Sequence, residues 1–585
     1  MTQFRVWAPI PERVDLDLED ERVPMTRGDD GWWHVDDPGE AAGVDYGFVL
    51  DGEGPFPDPR SPWQPTGVSG PSRTIDHSAF AWTDSRWRPV PLASAVLYEV
   101  HIGTFTSAGT FDAAIERLDH LVDLGVTHVE VMPVNEFAGD RGWGYDGVLL
   151  YAPHRAYGGP EGMKRFVDAC HRRGLAVVLD VVYNHLGPTG NYLPRFGPYL
   201  TDRYVTLWGG AMNVDGPGSD EVRRFIGDNV AMWFRDYHVD GLRIDAVHAI
   251  VDTSAVHLLE QLSREVEALE AHLARPLALI AESDVNDPRL VRSTEAGGYG
   301  LTAVWNDDVH HALHVALTAE RDRYYADFEG LDDFVRALAE NWAYAERASE
   351  FRGRRHGRSA ADLPPSRFVV FLQNHDQVGN RATGERLSML VDDDLLAAAA
   401  ALLLLSPFVP LLFMGEEWAA DTPFLYFTDH PPELGEAIRN GRRAEFATDA
   451  IRPEQIPDPQ DPETFERSKL DWAELATPRG RRMFDWYRSL LRLRRERPEL
   501  AAGRHASMAV QHDAQARWIV VRRGSVTVAA NLGRTERRVP AHGAAEASVL
   551  RVWGMMPRLG PDTPDELVLP PGTTVVLDVP ATAKG

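Results

Sequence analysis

With 585 residues, 44% of them hydrophobic and 25% charged, the chain has the balance of a globular protein and the length for two or three domains. A formal net charge of −28 argues against nucleic acid or anionic membrane as a partner, because attraction to phosphate needs clustered Lys and Arg. The single cysteine, Cys170, excludes an intrachain disulfide. The N-terminus shows no basic stretch followed by an apolar run, and the longest apolar block, 395–405, is too short to span a bilayer, so a cytoplasmic protein is expected.

Residues 1–90 carry short alternating runs (Phe4-Arg5-Val6-Trp7, Val14-Asp15-Leu16-Asp17-Leu18, Val44–Leu50) separated by Asp-Gly turns, the pattern of a small β-sandwich. The Trp32-Trp33 pair offers a sugar-stacking platform, with core packing expected for at least one ring. A Pro-rich connection, 55–71, follows. From about residue 91 to 500, short apolar runs alternate with segments of helical period. Candidate strands are 95–100, 127–132, 176–182, 241–246, 277–281, 301–305, 368–372 and 409–414, and helices are expected at 111–124, 219–235, 254–273, 331–344 and 481–497. Eight strands with interleaved helices predict an α/β fold, a (β/α)8 TIM barrel. Residues 183–218 lack periodicity and read as a loop excursion over the barrel mouth. After 500, alternation returns (518–521, 526–530, 573–577), which predicts a C-terminal all-β sandwich over 501–585.

His238-Val239-Asp240-Gly241-Leu242-Arg243-Ile244-Asp245 is the stretch that draws chemistry together. Residues two apart on a strand point the same way, so Arg243 and Asp245 converge, and the guanidinium keeps the carboxylate ionised. Alone, the pair reads as a structural ion pair at a strand end. The other strands change the odds. The third ends in Asp180-Val181-Val182-Tyr183-Asn184-His185, the fifth in Ala281-Glu282-Ser283-Asp284, and the seventh in Gln373-Asn374-His375-Asp376-Gln377. Three carboxylates (Asp245, Glu282, Asp376) and two histidines (His185, His375) can thus meet on one face. Retaining glycoside hydrolysis needs an ionised nucleophile and a proton donor of raised pKa. Asp180, His185, Asp245, Glu282 and His375 also offer a metal-site set, but no HxH or HxxxH pair falls on these strand ends, so neither metal nor cofactor is expected.

These strand ends resemble the four short motifs of the α-amylase family of glycoside hydrolases: 180–185 (DVVYNH), 241–245 (GLRID), 280–282 (IAE) and 373–376 (QNHD). Residues 4–9 (FRVWAP) are similar to the β-sandwich of branching-type members. The resemblance implies Asp245 as nucleophile, Glu282 as general acid/base and Asp376 as the third carboxylate, holding hydroxyls of the distorted sugar. Arg243, His185 and His375 would support the same ring and Tyr145 would stack on it. The segments around the motifs, among them 305–312 (WNDDVHHA), resemble the trehalose-releasing members of the family. That implies a maltooligosyltrehalose substrate, cleaved at the α-1,4 bond next to its terminal trehalose, and functional pairing with a maltooligosyltrehalose synthase. His248, Asp307, Asp308, Gln377 and Asn380 become candidates for the trehalose end, with a helix N-cap pair the competing role for Asp307-Asp308. His310, His311 and His314 are expected to be helix-face residues. A branching enzyme on the same scaffold is the alternative, and a catalytically silent glucan-binding module a third reading that intact carboxylates disfavour.

Overall fold

The computed structural model describes residues 3–19, 21–36, 42–206, 209–447, 452–501, 508–560 and 563–580. At its centre eight parallel strands close into a barrel: β1 (Leu97–Val100), β2 (His128–Val131), β3 (Ala176–Val181), β4 (Gly241–Ile244), β5 (Ala278–Ala281), β6 (Ala303–Trp305), β7 (Phe368–Phe371) and β8 (Val409–Phe413), with β8 pairing back onto β1. Each lies within one of the eight expected stretches. Strands covered on both faces must be apolar almost throughout, which is why they stand out in the sequence.

The exceptions to that rule build the site. Leu97, Val178, Ile280, Ala303, Trp305, Val369, Phe371, Val409 and Leu411 form one closed apolar cluster. Two residues further along the same strand faces come Glu99 after Leu97, Asp180 after Val178 and Glu282 after Ile280. Glu130 pairs level with Glu99, and Arg243 level with Asp180. A period of two therefore puts a charged layer directly above an apolar plug, at the carboxyl ends where barrels of this kind carry function.

The main surrounding helices are α1 (Phe111–Ile115), α2 (Leu118–Leu124), α3 (Gly159–Arg172), α4 (Ser219–Asp236), α5 (Leu258–Leu273), α6 (Asp307–Thr318), α7 (Leu331–Glu340), α8 (Asp393–Leu404) and α9 (Pro478–Glu496). The single helix expected at 111–124 is two, broken at Arg117, and Val122 faces solvent rather than the core. The helix expected from 254 starts at 258, because Asp252 accepts from the backbone N–H of Ser254 and Leu258 and holds the intervening residues as a loop. α7 stops at Glu340, where Asn341 takes a positive φ of 73°. α8 is the apolar block of the sequence, buried along most of its length. Among the described residues no helix is long and apolar enough to cross a membrane.

The excursion after β3 is less featureless than its sequence. It contains a short helix, Leu193–Phe196, and an exposed antiparallel hairpin, Leu200–Thr206 with Gly209–Met212. Ahead of the barrel, a three-stranded sheet (Gln3–Trp7, Trp32–Asp36, Thr26–Arg27) faces a second sheet built on Val14–Leu18 and Asp45–Leu50. Trp33 is core, its indole donating to the Ala8 carbonyl at 2.9 Å. Trp32 is not a free sugar platform. Its indole N–H donates to Glu221 on α4 at 3.1 Å, and the Arg5 and Arg60 guanidiniums lie 5.0 and 5.7 Å from its ring. Beyond the barrel, five- and three-stranded antiparallel sheets enclose a separate apolar cluster (Val520, Val539, Leu567, Leu569, Val575, Leu577).

Two buried arginines fasten these last sheets to the barrel. Arg494 on α9 donates to the carbonyls of Leu404, Ser406 and Phe408 at 2.5–2.8 Å, and Arg523 on strand Trp518–Arg523 donates to those of Leu405 and Ser406 at 2.8 and 2.7 Å. Those carbonyls are the unpaired ones at the end of α8, just ahead of β8.

The opposite end of the barrel is closed by a buried ionic cluster. His171 on α3 bridges Asp84 (2.8 Å) and Asp240 (2.9 Å), His238 also reaches Asp84 (2.8 Å), and Trp87 donates to Asp240 (2.8 Å). Burial opposes the charge on His171, but the two carboxylates outweigh it and raise its pKa. Burial likewise opposes ionisation of Asp84 and Asp240, and their histidine partners still hold both below the usual range. The histidine contribution is therefore full below its unfolded value of about 6.5 and fades as pH rises through the folded one, while the carboxylate contribution is lost in acid. His171→Leu is expected to cost about 3–5 kcal/mol at pH 6 and less at pH 9. Urea unfolding at the two pH values checks this, and a deficit that does not shrink would refute it.

Candidate active site

Pairing between β4 and β5 ends with Ile244 opposite Ala281, so the next residues, Asp245 and Glu282, sit level at neighbouring strand ends. Arg243 lies fully buried beneath them. Its Nη1 donates to both oxygens of Asp180 (2.9 and 2.8 Å) and to Asp245 Oδ1 (2.9 Å), its Nη2 is 3.9 Å from Glu282, and it packs 4.3 Å over the Trp305 ring. Asp245 is held from the other side by the Asn184 amide, which donates to Oδ2 at 2.8 Å. A carboxyl with two fixed donors is held in a single orientation, as attack on carbon requires.

Glu282 has the contrary environment. Burial, and then the negative charges of Asp245, Asp376 and Asp307, push its pKa well above the carboxylate range against the pull of Arg243. Its Oε2 accepts one hydrogen bond, from the Ala246 backbone N–H at 2.5 Å. Ala246 adopts a left-handed conformation with φ 39°, unusual for a residue with a Cβ, and this turn aims its N–H at Glu282. A carboxyl with a raised pKa, level with one fixed by two donors, is the arrangement an acid beside a nucleophile requires.

Asp376 lies in the first turn of the short helix His375–Gly379, capped by Asn374, and Asn380 donates to its Oδ1 at 3.2 Å. His375 is buried. Its Nδ1 lies 2.6 Å from Glu99, and its Nε2 lies 2.7 Å from the Tyr145 hydroxyl and 3.5 Å from Asp376. The Tyr145 hydroxyl donates to Asp180 at 2.6 Å, while its ring stacks on His375 at 5.1 Å. His185 is buried, with its Nδ1 against Asn184.

Past Glu282 and Asp376 a cleft opens between the loops after β4, β5, β6 and β7. His248, Asp307, Asp308, Gln377 and Asn380 all line it, so the expected substrate-end residues do converge. Gln377 donates to Asp307 at 3.4 Å, and burial together with Asp284, Asp376 and Asp308 pushes Asp307 up to about 8. Asp308 is committed to the scaffold: its Oδ2 accepts from the Asn286 amide (3.0 Å) and the Tyr344 N–H (2.7 Å). Neither aspartate caps α6; Asn306 does. His310, His311 and His314 lie on α6 as expected, and His311 also reaches the cleft, stacked on Tyr324.

Sequence reasoning missed several groups here. Glu99 had a legible signal, an acid inside an apolar strand. Arg352, which donates to Asp284 at 2.8 Å, and the cleft residues Tyr324 and Phe351 come from the long segment between β6 and β7 and carry no motif.

Two level carboxyls, Asp245 and Glu282, at the mouth of a closed eight-stranded barrel mark a glycoside hydrolase of the α-amylase class. The family model described as the alpha amylase catalytic domain matches residues 78–196, and a domain of unknown function, DUF3459, matches 503–577. A malto-oligosyltrehalose trehalohydrolase from Arthrobacter ramosus is 54% identical over 547 residues, 92% of this chain and 94% of its own. A crystal structure from Salmonella typhimurium described as an alpha amylase superposes with a TM-score of 0.90 at 41% identity, covering 98% of this chain and 97% of that one. A 1,4-alpha-glucan branching enzyme from Pseudoalteromonas atlantica is 31% identical over 58% of this chain and 53% of its own. The chain belongs to the family of malto-oligosyltrehalose trehalohydrolases.

Proposed function

We propose that this hydrolase cleaves the α-1,4-glucosidic bond next to the terminal trehalose of maltooligosyltrehalose, with retention, releasing trehalose and a maltooligosaccharide. The observation that carries the chemistry is the contrast between Asp245, ion-paired and hydrogen-bonded, and Glu282, half-buried with its pKa raised, on adjacent strand ends. Glu282 protonates the glycosidic oxygen as Asp245 attacks the anomeric carbon. The trehalosyl group departs, and Glu282 then takes a proton from the water that breaks the glycosyl–Asp245 bond. Asp376 holds ring hydroxyls, with Arg243, His185, His375 and Tyr145 around the same sugar.

Trehalose offers a binding site only hydroxyl and ether oxygens, so its recognition falls to a polar wall. The cleft past Glu282, with His248, Asp307, Gln377, Asn380 and the Asp284–Arg352 pair, suits that demand. Likeness over nearly the full chain to relatives named for this activity supports the same substrate, and the shorter match to a branching enzyme supports that alternative less. A synthase that makes maltooligosyltrehalose is the functional partner this reading implies. We place the domain divisions near residues 90 and 500, and the protein in the cytoplasm.

Maltotriosyltrehalose is expected to give trehalose and maltotriose in equal amounts, with the maltotriose first appearing as its α-anomer by proton NMR. Amylose and maltopentaose are expected to be slow substrates. New α-1,6 branches in amylose with maltotriosyltrehalose untouched would overturn the assignment in favour of a transferase.

A further inference from the structure

We infer that Glu99, on the first barrel strand, is a positioning residue that holds His375 as an imidazolium with both ring nitrogens donating, and thereby fixes the layer beneath Asp245 and Glu282. The inference rests on the proposed roles of those two carboxylates for its meaning, though not for its first test.

Hydrogen-bond directions point to the protonation state. Arg243 can only donate, so Asp180 accepts from it. The one Tyr145 hydroxyl proton goes to Asp180, so its oxygen must accept from His375, and Nε2 of His375 carries a proton. On the other side Glu99 grips His375 twice: Oε2 accepts the backbone N–H at 2.9 Å and Oε1 stands 2.6 Å from Nδ1. Donation from the backbone N–H to Oε2 favours the ionised form of Glu99, and we therefore take Nδ1 to donate to Oε1 and to carry a proton as well. The result is one continuous chain of hydrogen bonds from Glu99 through His375, Tyr145, Asp180 and Arg243 to Asp245.

The groups facing His375 agree. Glu99 on β1, Asp180 on β3 and Asp376 beside it are acidic, Arg243 on β4 is the opposing cation, and Tyr145 is the phenol between them. Glu130 on β2 is pushed well up by burial and by Glu99, and burial holds His101 near 4 and uncharged. Burial opposes the charge on His375, yet Asp376 and Glu99 carry it to about 9.

The test begins with 15N-histidine NMR on the full chain without substrate, the signal assigned with His375→Asn. The expected result is an imidazolium at pH 7.5 that titrates near 9; a single neutral tautomer at pH 7.5 overturns the inference whatever the substrate proves to be. Glu99→Gln is then expected to bring the titration down by about one unit or more, toward the ordinary histidine value. Its kcat/KM on maltotriosyltrehalose should fall about tenfold at pH 7.5 and partly recover at pH 6, where the ring recharges. Glu99→Asp, which keeps the charge, should retain most of the shift. A Glu99→Gln variant that loses activity equally at every pH, with the His375 titration unmoved, would make Glu99 a packing residue only.

Discussion

An Asp245→Ala variant should turn over maltotriosyltrehalose about five orders of magnitude more slowly than the parent, since no second group can form the covalent intermediate. Asn184 and Arg243 would still be in place, so binding should change far less than turnover. Azide separates the roles of the two carboxyls. With a maltosyl fluoride donor, whose leaving group needs no proton, Asp245→Ala should yield the β-glycosyl azide by one direct displacement. Glu282→Ala should yield the α-azide, because there azide intercepts the glycosyl–Asp245 intermediate and inverts a second time. An α-azide from Asp245→Ala, or activity within about a hundredfold of the parent, would remove Asp245 from the nucleophile's role.

The second large effect concerns the cation beneath. Arg243→Lys retains the charge and should nonetheless lower kcat by about two to three orders of magnitude, with about 3 kcal/mol of stability lost. One guanidinium nitrogen serves Asp180 and Asp245 together while the plane lies over Trp305; a compact ammonium on a shorter reach satisfies one carboxylate and not both. Asp180 shows how little margin exists. Even with Arg243 in place, burial and the charge of Asp245 bring it up to about 6. A weaker cation favours the protonated forms of the acids it serves, and a nucleophile must be ionised, so the acid limb of kcat/KM should move to higher pH. A pH–rate profile with an unmoved acid limb would show that Arg243 does not hold the charge of Asp245.

Both variants change residues that the sequence alone picks out, and the reason is geometric. Strands buried on two faces allow polar residues only where the barrel opens, so Arg243, Asp245, Glu282 and the 373–377 segment stand out against apolar runs. The same logic should have singled out Glu99, whose strand is otherwise apolar. What stayed illegible depends on contacts distant in sequence. The wall formed by Tyr324, Phe351 and Arg352 exists because a hairpin, Arg347–Ser349 with Arg354–His356, brings Arg352 to Asp284, some seventy positions upstream, and no local period encodes that meeting. Trp32 likewise looks like a sugar platform until Glu221 is found against its indole. The split of 111–124 at Arg117 is a tertiary choice too, since the apolar spacing continues across it.

Arg494 and Arg523 reach the same carbonyl, that of Ser406, from different parts of the chain. Ser406 stands three residues ahead of the strand that completes the barrel by pairing with the first. The terminal sheets are therefore less an appendage than a keystone: withdraw the Arg523 strand, and the last stave of the barrel loses part of what holds its lower end in line. A shortened chain ending near residue 501 would be expected to loosen first at the seam between the first and eighth strands, where amide hydrogen exchange would register the gap well before the carboxylates at the opposite rim noticed it.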